Sequence, residues 1–362
     1  MRLGFFIQPV HPTTKDYRVV LKEDREAVLL ADQLGYVEAF IGEHVTDRAE
    51  PITSNLMFIA SLANDATKII FGSAAVTLPS YHPAMVAGHV SMIDHLTNGR
   101  FIFGIGPGGL LSDAEVFQNM EVDRNLKMIQ SIEMILDIWR SDPPYDLEND
   151  YWKTSTRKTL NKKIGQGIIS RPLQQPYPPI VVTSVTPHSS GITSAAARGW
   201  DPITSNYVQA HWAATHLPKY LQGLKEGGRK INAAGWRVAK SIFVAENHRE
   251  ALTYARNPNG PYGHYFKNIM TKLIGNGKPE LFRAWPEQPD EQVTLEQSLK
   301  TQVIAGDVSS VVDQIVEFRE QIGHFGTLLY TGHDWVEPKL DRRSMELMAS
   351  EVMPRVNAIL GE

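Results

Sequence analysis

KIIFGSAAVTLPSYHPAMVAGHVSMIDHLTNGRFIFGIG, residues 68–106, carries the repeating pattern of the chain. A strand-like run, KIIFGSAAV (68–76), is followed by a helix after Pro83 and by a second strand, RFIFGIG (100–106). Two apolar runs joined through a helix make a parallel βαβ unit. The same alternation continues on both sides. Upstream, LGFFIQ (3–8) reads as a strand buried on both faces. A helix follows with Val20, Ala27, Ala31 and Leu34 on one stripe and Gly35 as its stop, then the strand VEAFIGE (37–43) and a helix from near Thr53 or Ser54. Downstream come an amphipathic helix around 122–140, the strand PIVVTS (179–184) with a helix to Arg198, and DPITS (201–205) with a helix across 208–233. KSIFVAE (240–246) leads to a helix around 248–257, and the chain closes with a helix over 307–322, the strand GTLLYTG (326–332) and a helix over 341–358.

Eight strands, each followed by a helix, favour a closed α/β barrel, the (β/α)8 TIM barrel, as a single domain over residues 1–362. Two insertions interrupt it. Residues 141–178 are polar and proline-containing, and read as loops and a hairpin; residues 258–303 are glycine-punctuated, lack periodicity and read as a structureless lid. The alternative for the second is a surface insertion that helps dimer packing.

The 362 residues are 42% hydrophobic and 21% charged, with a formal net charge of −4, which argues against nucleic acid as a partner. The absence of cysteine excludes a disulfide scaffold, a thiolate zinc site, an iron–sulfur cluster and a cysteine nucleophile. The N-terminal apolar run is too short for a signal peptide, and no window reaches the roughly 18 apolar residues of a membrane span. The expectation is a cytoplasmic protein with no membrane attachment.

In a barrel the chemistry sits where the strands end. The candidates are therefore Gln8, His11, Glu43, His44, residues 74–77, 106–109 and 184–190, Ser205, Asn206, Glu246, His333 and Asp334. The run from Gly104 to Gly109 matches GxGxxG, but it lies late in the chain, contains Pro107 and enters LLSDAEVF, a poor helix start. It reads as a tight turn, or as a glycine floor including Gly106 that lets a flat cofactor approach the backbone. His82 and His89 share a helix face that His95 does not, and neither metalloprotease spacing nor a strand-borne His-x-His occurs, so no metal site is expected. Glu43-His44 at a strand end places an imidazole where acid–base work is done, or where a structural histidine caps a loop. SVTPHSSG (184–191) offers hydroxyls and free amides at a helix N-terminus, suited to an anion or to plain N-capping by Ser189 or Ser190. Phe6, Met57, Tyr207 and Trp335 suit an apolar pocket or the core.

Residues 72–108, GSAAVTLPSYHPAMVAGHVSMIDHLTNGRFIFGIGPG, preceded by IGEH (41–44), resemble the bacterial luciferase-like family of flavin- and deazaflavin-dependent enzymes on a modified TIM barrel. The similarity runs over most of the chain, as far as AGDVSSVVDQI (305–315) and EVMPRV (351–356). Within the family, 181–199, GPYGHYF (260–266) and TGHDW (331–335) look most like the terpene-oxidising diketocamphane and limonene monooxygenases. The resemblance implies a two-component monooxygenase. It would take reduced FMN from a separate NAD(P)H-flavin reductase and use O2 to oxygenate a small apolar terpenoid, ketone or alkene through a flavin 4a-(hydro)peroxide. By the same resemblance His44, with Glu43, would be catalytic, and Ala74-Ala75 would match the family's ring-supporting non-prolyl cis peptide. Gly106 and Thr183 would lie by the cofactor, and Ser184, His188, Ser189 and Ser190 would hold its phosphate. A homodimer is implied as well. Pro107 stands where luciferase carries a phosphate-binding arginine and Val45 where it has a second histidine, so light emission is not implied. Two other readings remain: a deazaflavin-dependent hydride-transfer enzyme, and a non-catalytic flavin-binding partner subunit. The retained Glu43-His44 and phosphate loop argue against the latter.

Overall fold

The computed structural model describes residues 1–362. Its strands are β1 (Arg2–Ile7), β2 (Glu38–Ile41), β3 (Ile70–Ser73), β4 (Val76–Thr77), β5 (Phe101–Gly106), β6 (Asp146–Glu148), β7 (Lys153–Ser155), β8 (Ile180–Ser184), β9 (Asp201–Thr204), β10 (Arg237–Val244), β11 (Val303–Gly306) and β12 (Thr327–Gly332). The order β12-β1-β2-β3-β5-β8-β9-β10 closes on itself where β10 meets β12, giving the eight-stranded parallel barrel of a TIM-like α/β fold. No helix is long and apolar enough to cross a membrane. The chain divides into two compact units.

One unit comprises Met1–Phe40, Arg48–Glu50 and Val182–Glu362. Here β12 lies between β1, in register from Arg2↔Thr327 to Ile7↔Gly332, and β10. The lower half of β10 pairs with β9 and its upper half, Ser241–Val244, with β11, so one edge is shared by two short strands. β10 starts three residues before the apolar run that announces it, because the Arg237 guanidinium is buried against Glu38 with bonds of 2.7 and 3.0 Å. A buried charge is tolerated when paired in this bidentate way.

The segment 258–303 differs from the structureless lid expected of it. It holds the helices Pro261–Gly275 and Leu295–Gln302 and runs into β11 at Val303. Tyr262, Tyr265, Phe266 and Ile269 recur at helical spacing and are buried in a core with Phe243, Phe282 and Val303. Of its glycines, Gly260 is the N-cap, Gly275 the last helical residue, and Gly263 lets the helix close on the Pro258 carbonyl, 2.4 Å from where a Cβ would stand. The helix expected across 208–233 is broken into Ala210–Ala213 and His216–Glu226, and stops at Gly227-Gly228.

The other unit comprises Ile41–Asp47 and Pro51–Val181. Its helix Asn55–Leu62 is capped by Ser54, whose Oγ accepts from the Met57 N–H. β3 and β4 both pair with β5, and the Ala74–Ala75 peptide between them is cis. The first insertion contains the expected hairpin, β6 against β7. LLSDAEVF, read as a poor helix start, does form a short helix, Leu111–Val116.

Candidate functional site

In the second unit, the end of β2 leads directly into Glu43 and His44. Glu43 is buried. Its Oε1 accepts from the Thr77 N–H and its Oε2 from the Asn55 N–H, each at 3.1 Å. Burial pushes its carboxyl up to about 7, although those two amides, the Tyr81 hydroxyl and the charge of His44 pull the other way. Glu43 therefore exchanges its proton near neutrality. The same burial, beside the Glu43 charge, pushes the Tyr81 hydroxyl up.

His44 is anchored through its backbone, whose N–H donates to the Ile52 carbonyl at 3.0 Å. Its Nδ1 lies 3.3 Å from Asp113 Oδ2. Asp113 also accepts from the amides of Val45 (3.2 Å) and Thr46 (2.8 Å) and from the Thr46 hydroxyl at 2.6 Å. Burial alone would raise Asp113; these donors, His44 first among them, override it and hold the carboxyl near 2. An ionised Asp113 takes the Nδ1–H of His44 and so fixes the tautomer whose lone pair is on Nε2. Sequence reading missed Asp113 because it lies in the segment dismissed as a poor helix start. A carboxylate a few residues past a strand-end glycine turn was its only signal.

Ala74, Ala75 and Gly106 lie close in sequence to this group, with Thr77 paired to Gly106 along β4–β5. The Gly104–Gly109 run is built for backbone packing. A Cβ on Gly104 would stand 1.7 Å from the Ser73 carbonyl oxygen, and Gly108 has φ +81° with its carbonyl accepting from Arg124. Two other histidines of this unit have structural partners. His82 caps the Pro83–Leu96 helix and stacks edge-on against Trp152, and His95 meets the Arg171 carbonyl. Met57 is 75% exposed.

In the first unit, Thr183 and Ser184 end β8, and the loop through His188 runs into the helix Ser190–Arg198. Ser189 is the N-cap residue, yet its hydroxyl makes no capping bond. The plain N-capping reading is therefore not realised. His188 is exposed at φ +53°, held by its N–H donating to Thr215 Oγ1 at 2.8 Å. Beneath the loop, His216 joins Thr204 Oγ1 (2.8 Å) to the Thr186 carbonyl (3.0 Å), and burial holds it neutral, near 4.

Two further strand-end candidates meet in this unit. His11 is buried between Asp334 (2.5 Å) and Asp24 (3.2 Å). Burial opposes its charge, but the bonds and charges of those carboxylates raise it to about 9. His11, Glu23 and Asp334 have the spacing of a metal site, but Lys15 Nζ already bridges Glu23 (2.6 Å) and Asp334 (2.7 Å), supplying the cation. Glu246 forms a surface ion pair with Arg343 and joins neither group.

Residues 1–324 match the family model described as luciferase-like monooxygenase. The chain is 29% identical to 4-hydroxyprotoasukamycin monooxygenase of Streptomyces nodosus subsp. asukaensis, over 99% of this chain and 92% of that one. It is 28% identical to limonene 1,2-monooxygenase of Rhodococcus erythropolis, over 99% and 87%. Among solved structures, the oxygenating constituent of 3,6-diketocamphane monooxygenase of Pseudomonas putida, a type II Baeyer-Villiger monooxygenase in complex with FMN, superposes with TM-score 0.88. It is 23% identical, with 98% of each chain covered.

Proposed function

Because the chain belongs to the luciferase-like monooxygenase family, we propose that it is the oxygenase component of a two-component system, taking reduced FMN from a separate reductase and oxygenating a small apolar ketone or alkene with O2. The observation that carries this reading is the His44–Asp113 pair beside Glu43, a proton-handling group set at a barrel strand end. A chain serving only as a non-catalytic flavin-binding subunit has no need to hold one carboxyl near 2 and its neighbour near 7.

The donors present fit an FMN phosphate. The uncommitted Ser189 hydroxyl, the first amides of Ser190–Arg198, Ser190 and His188 would hold a dianion, with Thr183 and Ser184 at the base of the loop. Ala74, Ala75 and Gly106, without bulky side chains, would accept the flat ring system. Bound in its reduced form, FMN supplies the electrons that activate O2. The chain's own part is proton control: Asp113 orients His44, His44 holds or delivers a proton at the reacting oxygen, and Glu43 buffers that proton near neutral pH. Exposed Met57, Met85, Met92 and Leu96, on the helices Asn55–Leu62 and Pro83–Leu96, make the apolar face through which we propose the chain forms a homodimer.

The test mixes the protein with photoreduced FMN, ¹⁸O2 and either limonene or 2,5-diketocamphane, with no reductase present. One ¹⁸O atom in the organic product is expected. Flavin reoxidation yielding only hydrogen peroxide with both substrates, together with tight binding of a deazaflavin, would sink the reading.

A further inference from the structure

His333 follows β12 directly and is 8% exposed. Its Nε2 lies 3.0 Å from Ser241 Oγ, and Asn206 Nδ2 donates to that same oxygen at 3.0 Å. The amide orientation of Asn206 is set in turn by Tyr265, whose hydroxyl donates to Oδ1 at 2.9 Å. A hydroxyl has one proton to give. Ser241 Oγ, accepting from Asn206, still has its own proton to donate to His333 Nε2, and it is in that arrangement that the ring carries its hydrogen on Nδ1. Burial keeps this imidazole neutral, near 3, so no second proton disturbs the arrangement.

Nδ1 is fully buried and has no hydrogen-bond partner. An unmet buried donor costs about 1–3 kcal/mol, so a fold that builds a three-residue relay to present one is holding it for an acceptor. The surroundings have the same character. Tyr330 points outward to Ser344 on the helix Pro338–Leu347, so by strand alternation Thr331 faces inward, and its Oγ1 too is buried without a partner. The rings of Tyr262 and Tyr265, from the helix Pro261–Gly275, lie 4.2 and 4.8 Å from the imidazole and fix its plane.

We propose that His333 is a substrate-positioning residue: its Nδ1–H, oriented through Ser241, Asn206 and Tyr265, donates a hydrogen bond to the carbonyl oxygen of a ketone substrate. This rests on the oxygenase reading for the word substrate, but the bond itself requires neither FMN nor turnover. A fixed donor discriminates a ketone from its hydrocarbon isostere, because without an oxygen the buried N–H stays unmet.

The experiment uses camphor and camphane, which differ only in the carbonyl, on wild type and on His333→Phe and Ser241→Ala. Isotope-edited infrared spectra of ¹³C=O camphor on the flavin-free protein should show the carbonyl stretch lowered relative to alkane solvent. In wild type, camphor should bind at least tenfold tighter than camphane. His333→Phe should abolish both the shift and the preference while leaving camphane affinity unchanged. Ser241→Ala, which keeps the ring but frees its tautomer, should weaken the shift. ¹⁵N spectra of histidine-labelled wild type should contain one neutral Nδ1–H imidazole across the neutral range. A resonance showing the Nε2–H tautomer at His333, a shift unaltered by either variant, equal loss of both ligands, or no camphor binding would each overturn the proposal. A normal camphor shift with failed ¹⁸O incorporation would instead retire the oxygenase reading and leave the donor in place.

Discussion

In the proposed oxygenase, Asp113 is the residue on which proton handling turns. It spends its oxygens on His44, two amides and the Thr46 hydroxyl, and so stays ionised while largely buried. Asp113→Asn keeps the shape and removes the charge. One amide face then presents N–H groups to donors that need an acceptor, and the His44 tautomer is no longer imposed. General acid–base assistance is worth roughly 10²–10⁴-fold, so turnover should fall at least about 10²-fold. FMN affinity should change by less than about threefold, because nothing in the proposed phosphate loop has been touched. Steady-state kinetics with excess reduced FMN, alongside fluorescence titration of FMN, would measure both. An equal loss in both quantities would make Asp113 a plain structural residue. The place of Glu43 and His44 at a strand end was legible in the sequence. The Asp113 bond to His44 was not, since it follows from where a short helix carries the carboxylate.

At the scale of the element, the glycines separate by what their missing Cβ would meet. Gly104 sits in β5 with its N–H accepted by Ser73 Oγ at 2.8 Å, and a Cβ there would overlap the Ser73 carbonyl. Gly88 lies in the helix Pro83–Leu96, with nothing within 4 Å of its Cβ position. Gly104→Ala should therefore cost several kcal/mol or prevent folding, by forcing β3 from β5. Gly88→Ala should gain about 0.5–1 kcal/mol from helix propensity. Urea unfolding of the two variants tests the contrast, and a mild Gly104→Ala would show that β3 yields. The barrel strands were legible because each is a short apolar run between breakers. The segment 258–303 was not, since glycine and proline at its helix ends outweighed the stripe of Tyr262, Tyr265, Phe266 and Ile269 between them. β11 escaped notice for a different reason: four residues directly after a helix give no alternation to read, and the strand exists because β9 leaves the upper edge of β10 open. Arg237 hid the start of β10, because only the tertiary partner Glu38 makes a buried arginine acceptable there.

Two properties belong to the whole molecule. The apolar face of Met57, Met85, Met92 and Leu96 predicts self-association, and Met92→Glu, on a side chain 56% exposed, should convert a dimer to monomer in sedimentation experiments while leaving the circular dichroism spectrum of the fold unchanged. A wild type that is monomeric at micromolar concentration would refute it. The second property is the pH dependence of stability. Glu43 (from 4.5 to about 7), Asp341 (from 3.8 to about 8) and His11 (from 6.5 to about 9) all bind a proton more tightly when folded, so each favours the fold less as pH rises through its window. His216 and His333, lowered from 6.5 to about 4 and about 3, act in the opposite sense, their stabilising effect growing up to pH 6.5. Between pH 4.5 and 6.5 the two carboxyls and the two neutral histidines nearly cancel. Above 6.5 the histidines contribute no further change, and the slope belongs to His11 and Asp341, with Glu43 finishing at 7. Lys240, lowered from 10.5 to about 8, begins to offset them only beyond that point. Two groups acting over about 1.5 pH units amount to on the order of 4 kcal/mol lost between pH 6.5 and 8. Urea denaturation at the two pH values should show that fall. His11→Gln, though less stable throughout, should lose only about half as much across the same interval. A wild type that loses no more than His11→Gln over this interval would mean that His11 does not carry its charge inside the fold, and the Asp24–His11–Asp334 cluster would then have to be held by hydrogen bonds alone.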